Sequence, residues 1–425
     1  MLGLVLTAGG ARGAYQAGVL ERIAELRSLR ARPSPFRVVA GASAGAINGA
    51  MLAARGERFG AAAHELADVW RNLSFERVFR SDLRALTCTA AGLARDLTLG
   101  GVLGRTVTTG LLDTAPLERT LRDAFPKRGI ANAIRRGNLH AVAISATSYH
   151  SGRSFTFVEG RRGHAIWLKS RRVVLPVALT HRHILASAAI PMVFEPVALD
   201  TAAGEAWFGD GALRLVAPLS PAIRLGARRL LAIGVRSASA ASLLAREESA
   251  RHADAGDPRA LACPPLAQLY GVFMNTIFLD HLDADLDHLR RMNALVAKQG
   301  NGVLAAHEEG IRHIEPLLFG PSEDLALVAK RFEHRMPRVL RYLLAGLGTP
   351  DAQSADLSSY LLFDSAYTET LVDLGRRDAE ARIDEIEAFV HAADASTAAA
   401  RQRPRARRSA PLAPPLPSSF SSARH

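Results

Sequence analysis

The chain has 425 residues, 48% hydrophobic and 22% charged, a globular composition with material for a sizeable core and two or three domains. The formal net charge is +12, but six arginines and no acid fall in residues 396–425, so the rest carries only +6; this balance is compatible with anionic lipid surfaces or nucleic acid and selects neither. The two cysteines, Cys88 and Cys263, are too far apart for metal-like spacing and do not support a disulfide framework, which points to a reducing, cytoplasmic compartment.

Met1–Gly10 has no basic leader and its apolar run ends by Ala8, so it is not a signal peptide. It reads as a strand over Leu2–Thr7 and a glycine turn, then a helix to about Arg27 with Tyr15, Val19 and Ile23 at mostly helical spacing. The uncharged stretch "VVAGASAGAINGAMLAA" (38–54) is too short and too rich in Gly, Ser and Asn to span a bilayer, which takes about 20 mainly apolar residues. It repeats the first grammar: a strand over Phe36–Ala40, a helix over Ala44–Ala54, and Gly56 as a stop. Two strand–turn–helix units in succession predict a parallel sheet covered by helices.

Residues 61–135 read as helices and loops, with an N-cap at Asp113 or Thr114 before Pro116. Within them, residues 86–104 fit either an ordinary packed helix and loop or a cover that opens on a lipid surface. "LHAVAISATSY" and "RSFTFVEG" are strand-like, and "HRHILASAAIPMVFEPV" is a helix broken by Pro191 and then extended. A further strand, a tight turn at Asp210-Gly211, a helix and an apolar strand over Leu230–Val235 follow. Beyond about residue 240 long amphipathic helices dominate, and no internal repeat is visible. From 396 the Arg/Pro/Ser/Ala-rich chain predicts disorder, and without interleaved aromatics it is no specific nucleic-acid module.

Three turns carry candidate chemistry. Gly41-Ala42-Ser43-Ala44-Gly45 is a G-x-S-x-G turn. Alone it fits an ordinary packed turn; the strand before it and the helix after it favour an exposed nucleophile backed by a helix N-terminus. Ala8-Gly9-Gly10-Ala11-Arg12-Gly13 also links strand to helix. A dinucleotide fingerprint needs Gly at position 8 and an acid after the next strand, and both are missing. The loop fits an oxyanion hole better, although a plain tight turn is also open. Asp210-Gly211-Ala212, taken alone, is a turn.

Together, AGGARG (8–13), GASAG (41–45) and DGA (210–212) resemble the patatin-like phospholipase family, whose marks are G-G-G-x-R-G, G-x-S-x-G and D-G-A/G in that order. "ASAAIP" (186–191), "LLDTAPL" (111–117) and "YLLFDSAYTETLVDLG" (360–375) resemble further stretches of its bacterial members. Ala8 departs from the first loop glycine.

The resemblance implies a three-layer α/β/α sandwich with a mainly parallel central sheet over residues 1–235. A helical C-terminal region (236–395) and a disordered tail (396–425) complete the expected organisation. It implies a Ser43–Asp210 dyad: Ser43 attacks, and Asp210 accepts its proton. Gly9, Gly10, Ala11, Arg12 and Gly13 would form the oxyanion hole, Gly41 and Gly45 the elbow, and Gly211 and Ala212 the turn behind the base. An aspartate near pKa 4 is a poor base for a hydroxyl, so a dry pocket must raise it. The Arg12 side chain fits two roles, a structural anchor or a partner for lipid phosphate. His181 and His183 precede "ILASAAIP" and read as ordinary surface or core residues, and Asn48 reads as a packing or capping residue. The expected substrate is a phospholipid or another lipid acyl ester, with no metal or cofactor and with peripheral contact to anionic membrane. A soluble esterase or thioesterase, or a non-catalytic lipid-binding regulator, are the alternatives.

Overall fold

Leu2–Leu6 (β1) and Val38–Ala42 (β2) are buried along their whole length, as strands covered on both faces must be. They pair in parallel, and Gly13–Ala24 (α1) makes the crossover between them. From β2 the chain enters Ala44–Ala54 (α2), Phe59–Arg71 (α3), Phe75–Val78 (α4), Ala115–Ala124 (α5) and Gly129–Arg135 (α6). It returns as Ala141–Ser148 (β3), parallel to β2. Ser154–Gly160 (β4) turns back antiparallel to β3, and Leu168–Lys169 (β5) and Arg172–Pro176 (β6) extend that edge. After His181–Ser187 (α7), Val197–Thr201 (β7) and Gly204–Gly209 (β8) form a hairpin whose second strand pairs with the end of β3. Ser220–Arg224 (α8) leads to Arg229–Ile233 (β9), parallel to β1 on its other side. His281–Gln299 (α9), Glu315–Phe319 (β10), Leu325–Lys330 (α10), Ala355–Leu361 (α11), Ser365–Ala381 (α12) and Ile383–Gln402 (α13) follow. The computed structural model describes residues 1–80, 110–161, 163, 167–169, 171–201, 204–237, 269, 276, 281–299, 312–338, 340–341 and 355–402. Residues 86–104, both cysteines and residues 403–425 lie outside the described residues.

The central strands send alternate side chains to two cores. Leu4, Leu6, Val39, Val142, Ile144 and Leu231 join the core beneath α1, α2, α3 and α12. Val5, Val38, Ala40, Ala143, Leu230 and Ala232 join the core beneath α8 and α9. The fold is therefore the expected three-layer α/β/α sandwich on a mainly parallel sheet.

The C-terminal region is woven into this sandwich. β10 adds a parallel strand outside β9, a strand absent from the helical reading of that region. Its Pro316 stands in an edge strand, where a missing N–H is tolerated. α12 lies on α1 backbone to backbone: a Cβ on Gly18 would collide with the Val372 carbonyl, and one on Gly375 with the Tyr15 carbonyl. Glu21 of α1 is buried beside them. Burial opposes its charge, but hydrogen bonds from Arg71, His64 and Arg376 outweigh that and hold its carboxyl at about 2.

Local differences from the sequence reading are small. β2 runs two residues further, to Ala42, because parallel pairing with Leu6 and Ser145 continues up to the turn. α1 ends at Ala24, short of Arg27. Asp113 supplies the cap of α5, its Oδ1 accepting from the Ala115 amide. Gly56 is not left-handed; its amide closes on the Ala53 carbonyl. α13 continues through Gln402, past the expected start of disorder at residue 396.

Candidate active site

The register of β3 gathers the site. Ala42 pairs with Ser145 and, beyond the end of β2 on the same side of this strand, Gly209 pairs with Thr147, while β4 takes the other side. The residues that follow, Ser43 and Asp210, therefore emerge at the same end of the sheet.

Ser43 has φ 55° and ψ −127°, a backbone state that costs a non-glycine residue about 1–3 kcal/mol and persists only when its surroundings impose it. Those surroundings are specific. The Ser43 amide donates to Ser187 Oγ at 3.0 Å, and that hydroxyl donates to the Ser145 carbonyl at 2.5 Å. The Ser43 carbonyl accepts from the amides of Ala46 and Ile47, starting α2. The flanking glycines let three backbone segments meet: a Cβ on Gly41 would strike the Gly45 carbonyl, and one on Gly45 the Leu6 carbonyl.

Asp210 is fully buried where β8 ends. Its amide donates to the Ala189 carbonyl, and its carbonyl accepts from Thr147 Oγ1 at 2.9 Å. Oδ1 accepts from the Ala212 amide at 2.9 Å, while Oδ2 is buried without a formed hydrogen bond. Burial pushes the carboxyl up to about 7; the neighbouring Ser43 hydroxyl and the Ala212 amide pull the other way without prevailing. Gly211 and Ala212 open the 3-10 turn behind it, with Gly211 packed against Ser145. The Tyr149 phenol lies against Gly209, and burial, with the Asp210 charge second, pushes it up to about 12.

The loop before α1 faces the elbow. Gly9 has φ 170° and ψ 7°, Gly10 has φ +54°, and Gly10–Arg12 forms a 3-10 turn. A Cβ on Gly10 would strike the Tyr360 carbonyl, so this position needs glycine for both conformation and space. The Arg12 amide donates to the Gly9 carbonyl at 3.0 Å, and the Gly13 amide to the carbonyls of Gly10 and Ala11. The Arg12 side chain is buried away from the cavity beside Ser43. Its Nε donates to Ser359 Oγ at 2.7 Å and its guanidinium stacks 4.2 Å from the Tyr360 ring centroid. It anchors the loop to α11. A buried network locks loop to elbow: Asn48 Nδ2 donates to the Gly13 carbonyl and Gln16 Oε1, and Asn48 Oδ1 accepts from Trp70 Nε1. Gln16 Nε2 in turn donates to the carbonyls of Thr7 and Ile233.

A narrow apolar slot of about 50 Å³ adjoins Ser43 and Gly10, walled by Ile47, Trp70, Leu121 and Phe194. Its wall unites all three stretches singled out in the sequence, through Leu117, through Ala188 and Ile190, and through Phe363. The Leu112 amide donates to the Val193 carbonyl, and Leu112 bridges to Phe194. The histidines serve elsewhere. His183 Nδ1 engages Thr180 in a capping box and its ring meets Phe157 edge-on, while His181 faces Glu118. Burial, then the charges of Arg182 and His181, push His183 down to about 4. Among the described residues, no group of three or more His, Cys, Asp or Glu could hold a metal, and no helix is long and apolar enough to cross a membrane.

Sequence reasoning missed Gln16, Ser145, Ser187, Ser359 and Tyr360. Ser187 stood inside the flagged "ASAAIP" stretch and Tyr360 opened the flagged "YLLFDSAYTETLVDLG" stretch; the others carried no signal, since each acts through contacts that only the fold creates.

The model of the family described as patatin-like phospholipase matches residues 4–223. Among solved structures, VipD from Legionella pneumophila is 13% identical at TM-score 0.27, covering 87% of this chain and 66% of its own. The type III effector ExoU is 17% identical at TM-score 0.25, covering 57% of this chain and 44% of its own. The chain thus spans less than two thirds of either protein. No curated protein matches the sequence significantly.

Proposed function

Since the chain belongs to the patatin-like phospholipase family, we propose that it hydrolyses lipid acyl esters through Ser43 and Asp210. Asp210, ionised, takes the Ser43 hydroxyl proton on Oδ2 as the serine oxygen attacks the acyl carbon. The developing oxyanion is met by the amides of Gly10 and Ala11, since those of Arg12 and Gly13 are engaged within the turn. The tetrahedral intermediate collapses, the C–O bond to the alcohol breaks, and Asp210 returns its proton to the leaving oxygen. Water then attacks the acyl carbon, giving a proton to Asp210; the bond from that carbon to Ser43 Oγ breaks, Asp210 returns the proton to Ser43 Oγ, and the free acid leaves. The acyl chain enters along the apolar slot, which opens to take it.

One observation carries this reading: a strained, buried serine faces a buried carboxylate that burial has made more basic and that keeps one oxygen without a formed hydrogen bond. The test is a panel of phospholipids and short-chain esters with product mass analysis, alongside a fluorophosphonate probe. Free fatty acid should be released and wild type should be labelled. Ser43→Ala should lose labelling and about 10⁴-fold or more of turnover while staying folded. Persistent labelling of that variant contradicts the assignment. Turnover of soluble esters alone supports a soluble esterase, and no turnover with lipid binding supports a regulator.

A further inference from the structure

A second cavity, opposite in character to the apolar slot, is lined by Ala42 and Ala212, chain neighbours of Ser43 and Asp210. It encloses about 430 Å³ at the carboxyl ends of β1, β2, β9 and β10. That volume falls in the range of small-molecule sites, and crevices beyond strand carboxyl ends are where open α/β sheets bind ligands. Three alanines bring its wall to the catalytic pair. Ala42 precedes Ser43, Ala212 holds Asp210 Oδ1, and Ala8 leads into the glycine loop. Ala8 is the one departure from the family's loop pattern, and it sits on this wall.

The described lining residues include two guanidiniums, of Arg236 after β9 and Arg382 after α12, one carboxylate, Asp283, and the ring nitrogens of His281. Arg382 is held in place before any ligand arrives. Its Nη1 donates to the Leu318 carbonyl at 2.8 Å, its Nε to Glu385 at 2.7 Å, and it stacks 4.3 Å from the Phe319 ring centroid. Guanidiniums match phosphate oxygens in geometry and charge, and pre-positioned groups lose less entropy on binding.

We propose that this cavity binds the phosphate ester of the leaving group. An ester bridging the catalytic pair then lays its acyl chain in the apolar slot and its glycerol phosphate against Arg236 and Arg382. The catalytic role of this subsite rests on the hydrolase reading; its binding of a phosphate ester does not.

The test titrates the full-length Ser43→Ala chain by calorimetry with glycerophosphocholine, inorganic phosphate and uncharged glycerol. Glycerophosphocholine should bind, glycerol should not, and added salt should weaken binding. It should compete with ester substrate in wild type. Arg236→Gln should weaken it by roughly tenfold or more, and Arg236→Lys by less. Because Arg382 also anchors Leu318, Arg236 is the better position to vary, with circular dichroism and melting to show an intact fold. Absence of saturable binding, or binding unchanged in folded Arg236→Gln, overturns the proposal. So does binding of inorganic phosphate without glycerophosphocholine, or binding that does not compete with the ester, since either marks a site for free phosphate. Headgroup binding that depends on Arg236, in a chain that neither hydrolyses esters nor takes the fluorophosphonate, upholds the cavity assignment and removes the hydrolase reading instead.

Discussion

The two strand–turn–helix units begin alike and are finished differently. Each ends a buried parallel strand in a turn with one residue at positive φ, Gly10 at +54° and Ser43 at +55°. The Ser43 turn is closed by its own glycines and by β3 and α7 beside it. The Gly10 turn leans on the far end of the chain: Tyr360 fills the space beside Gly10, and Ser359 holds Arg12 across 347 residues of sequence. The proposed nucleophile is thus positioned within the first half of the chain, whereas the loop proposed to stabilise the oxyanion needs the C-terminal helices. That region is a structural partner of the site.

Gly10→Ala should break the first turn most severely. The methyl group meets the Tyr360 carbonyl and the residue is held at positive φ, so the amides move. Displacing one oxyanion donor costs about 2.7–4 kcal/mol in the barrier, a fall of about 10²–10³-fold in kcat, with KM changing less. Steady-state kinetics with a melting curve checks this; a folded variant with near-normal turnover removes the loop from the mechanism.

Ser187→Ala tests the second turn. It leaves the Ser43 amide and the Ser145 carbonyl buried without this partner, at about 1–3 kcal/mol for an unsatisfied group. Denaturant unfolding should show that loss, and kcat should fall because the elbow is less well held. Unchanged stability would mean that the glycines alone impose the turn. Ser359→Ala is the milder counterpart for the first turn, removing one bond to Arg12 worth about 0.5–1.5 kcal/mol while the stack on Tyr360 persists.

The smallest effect on turnover is expected at His183. His183→Ala loses the capping box of α7 and a contact with Phe157, costing about 0.5–2 kcal/mol of stability. Turnover should be unchanged, because the histidine's contacts are with Thr180 and Phe157 and not with the proposed catalytic pair.

The same contrast explains what the sequence revealed. α2 is found over Ala44–Ala54 as expected, because small residues and a preceding apolar strand encode the unit locally. β10 was hidden: "EPLLF" is short, contains a proline, and becomes a strand only because β9 offers it a parallel edge. Ser43 and Asp210 stood in motifs, but no local pattern says that Ser145 ties their turns together or that Tyr360 fits beside Gly10. The network through Gln16, Asn48 and Trp70 was likewise invisible, since its bonds join residues of ordinary type on three helices.

Asp210 also links activity to stability. Burial raises its carboxyl from the usual 3.8 to about 7, so between those values the folded chain holds a proton that the unfolded chain has released. This group's contribution to stability is therefore lost as pH rises through that window, while the basic form that the proposed mechanism needs appears. Glu21 has the opposite sign. Its carboxyl, lowered from 4.5 to about 2, stabilises the fold above the upper value, and that support disappears as pH falls through the lower one.

The most direct measurement is the pH dependence of kcat/KM on a soluble short-chain ester, in wild type and Asp210→Asn, from about pH 5 to 9. The account predicts a rate that climbs through an inflection near 7, set by burial of Asp210. In the asparagine variant that inflection should be gone and the residual rate about 10⁴-fold lower. A flat wild-type profile, or an inflection that survives in Asp210→Asn and disappears when a histidine is replaced, would contradict Asp210 as the base.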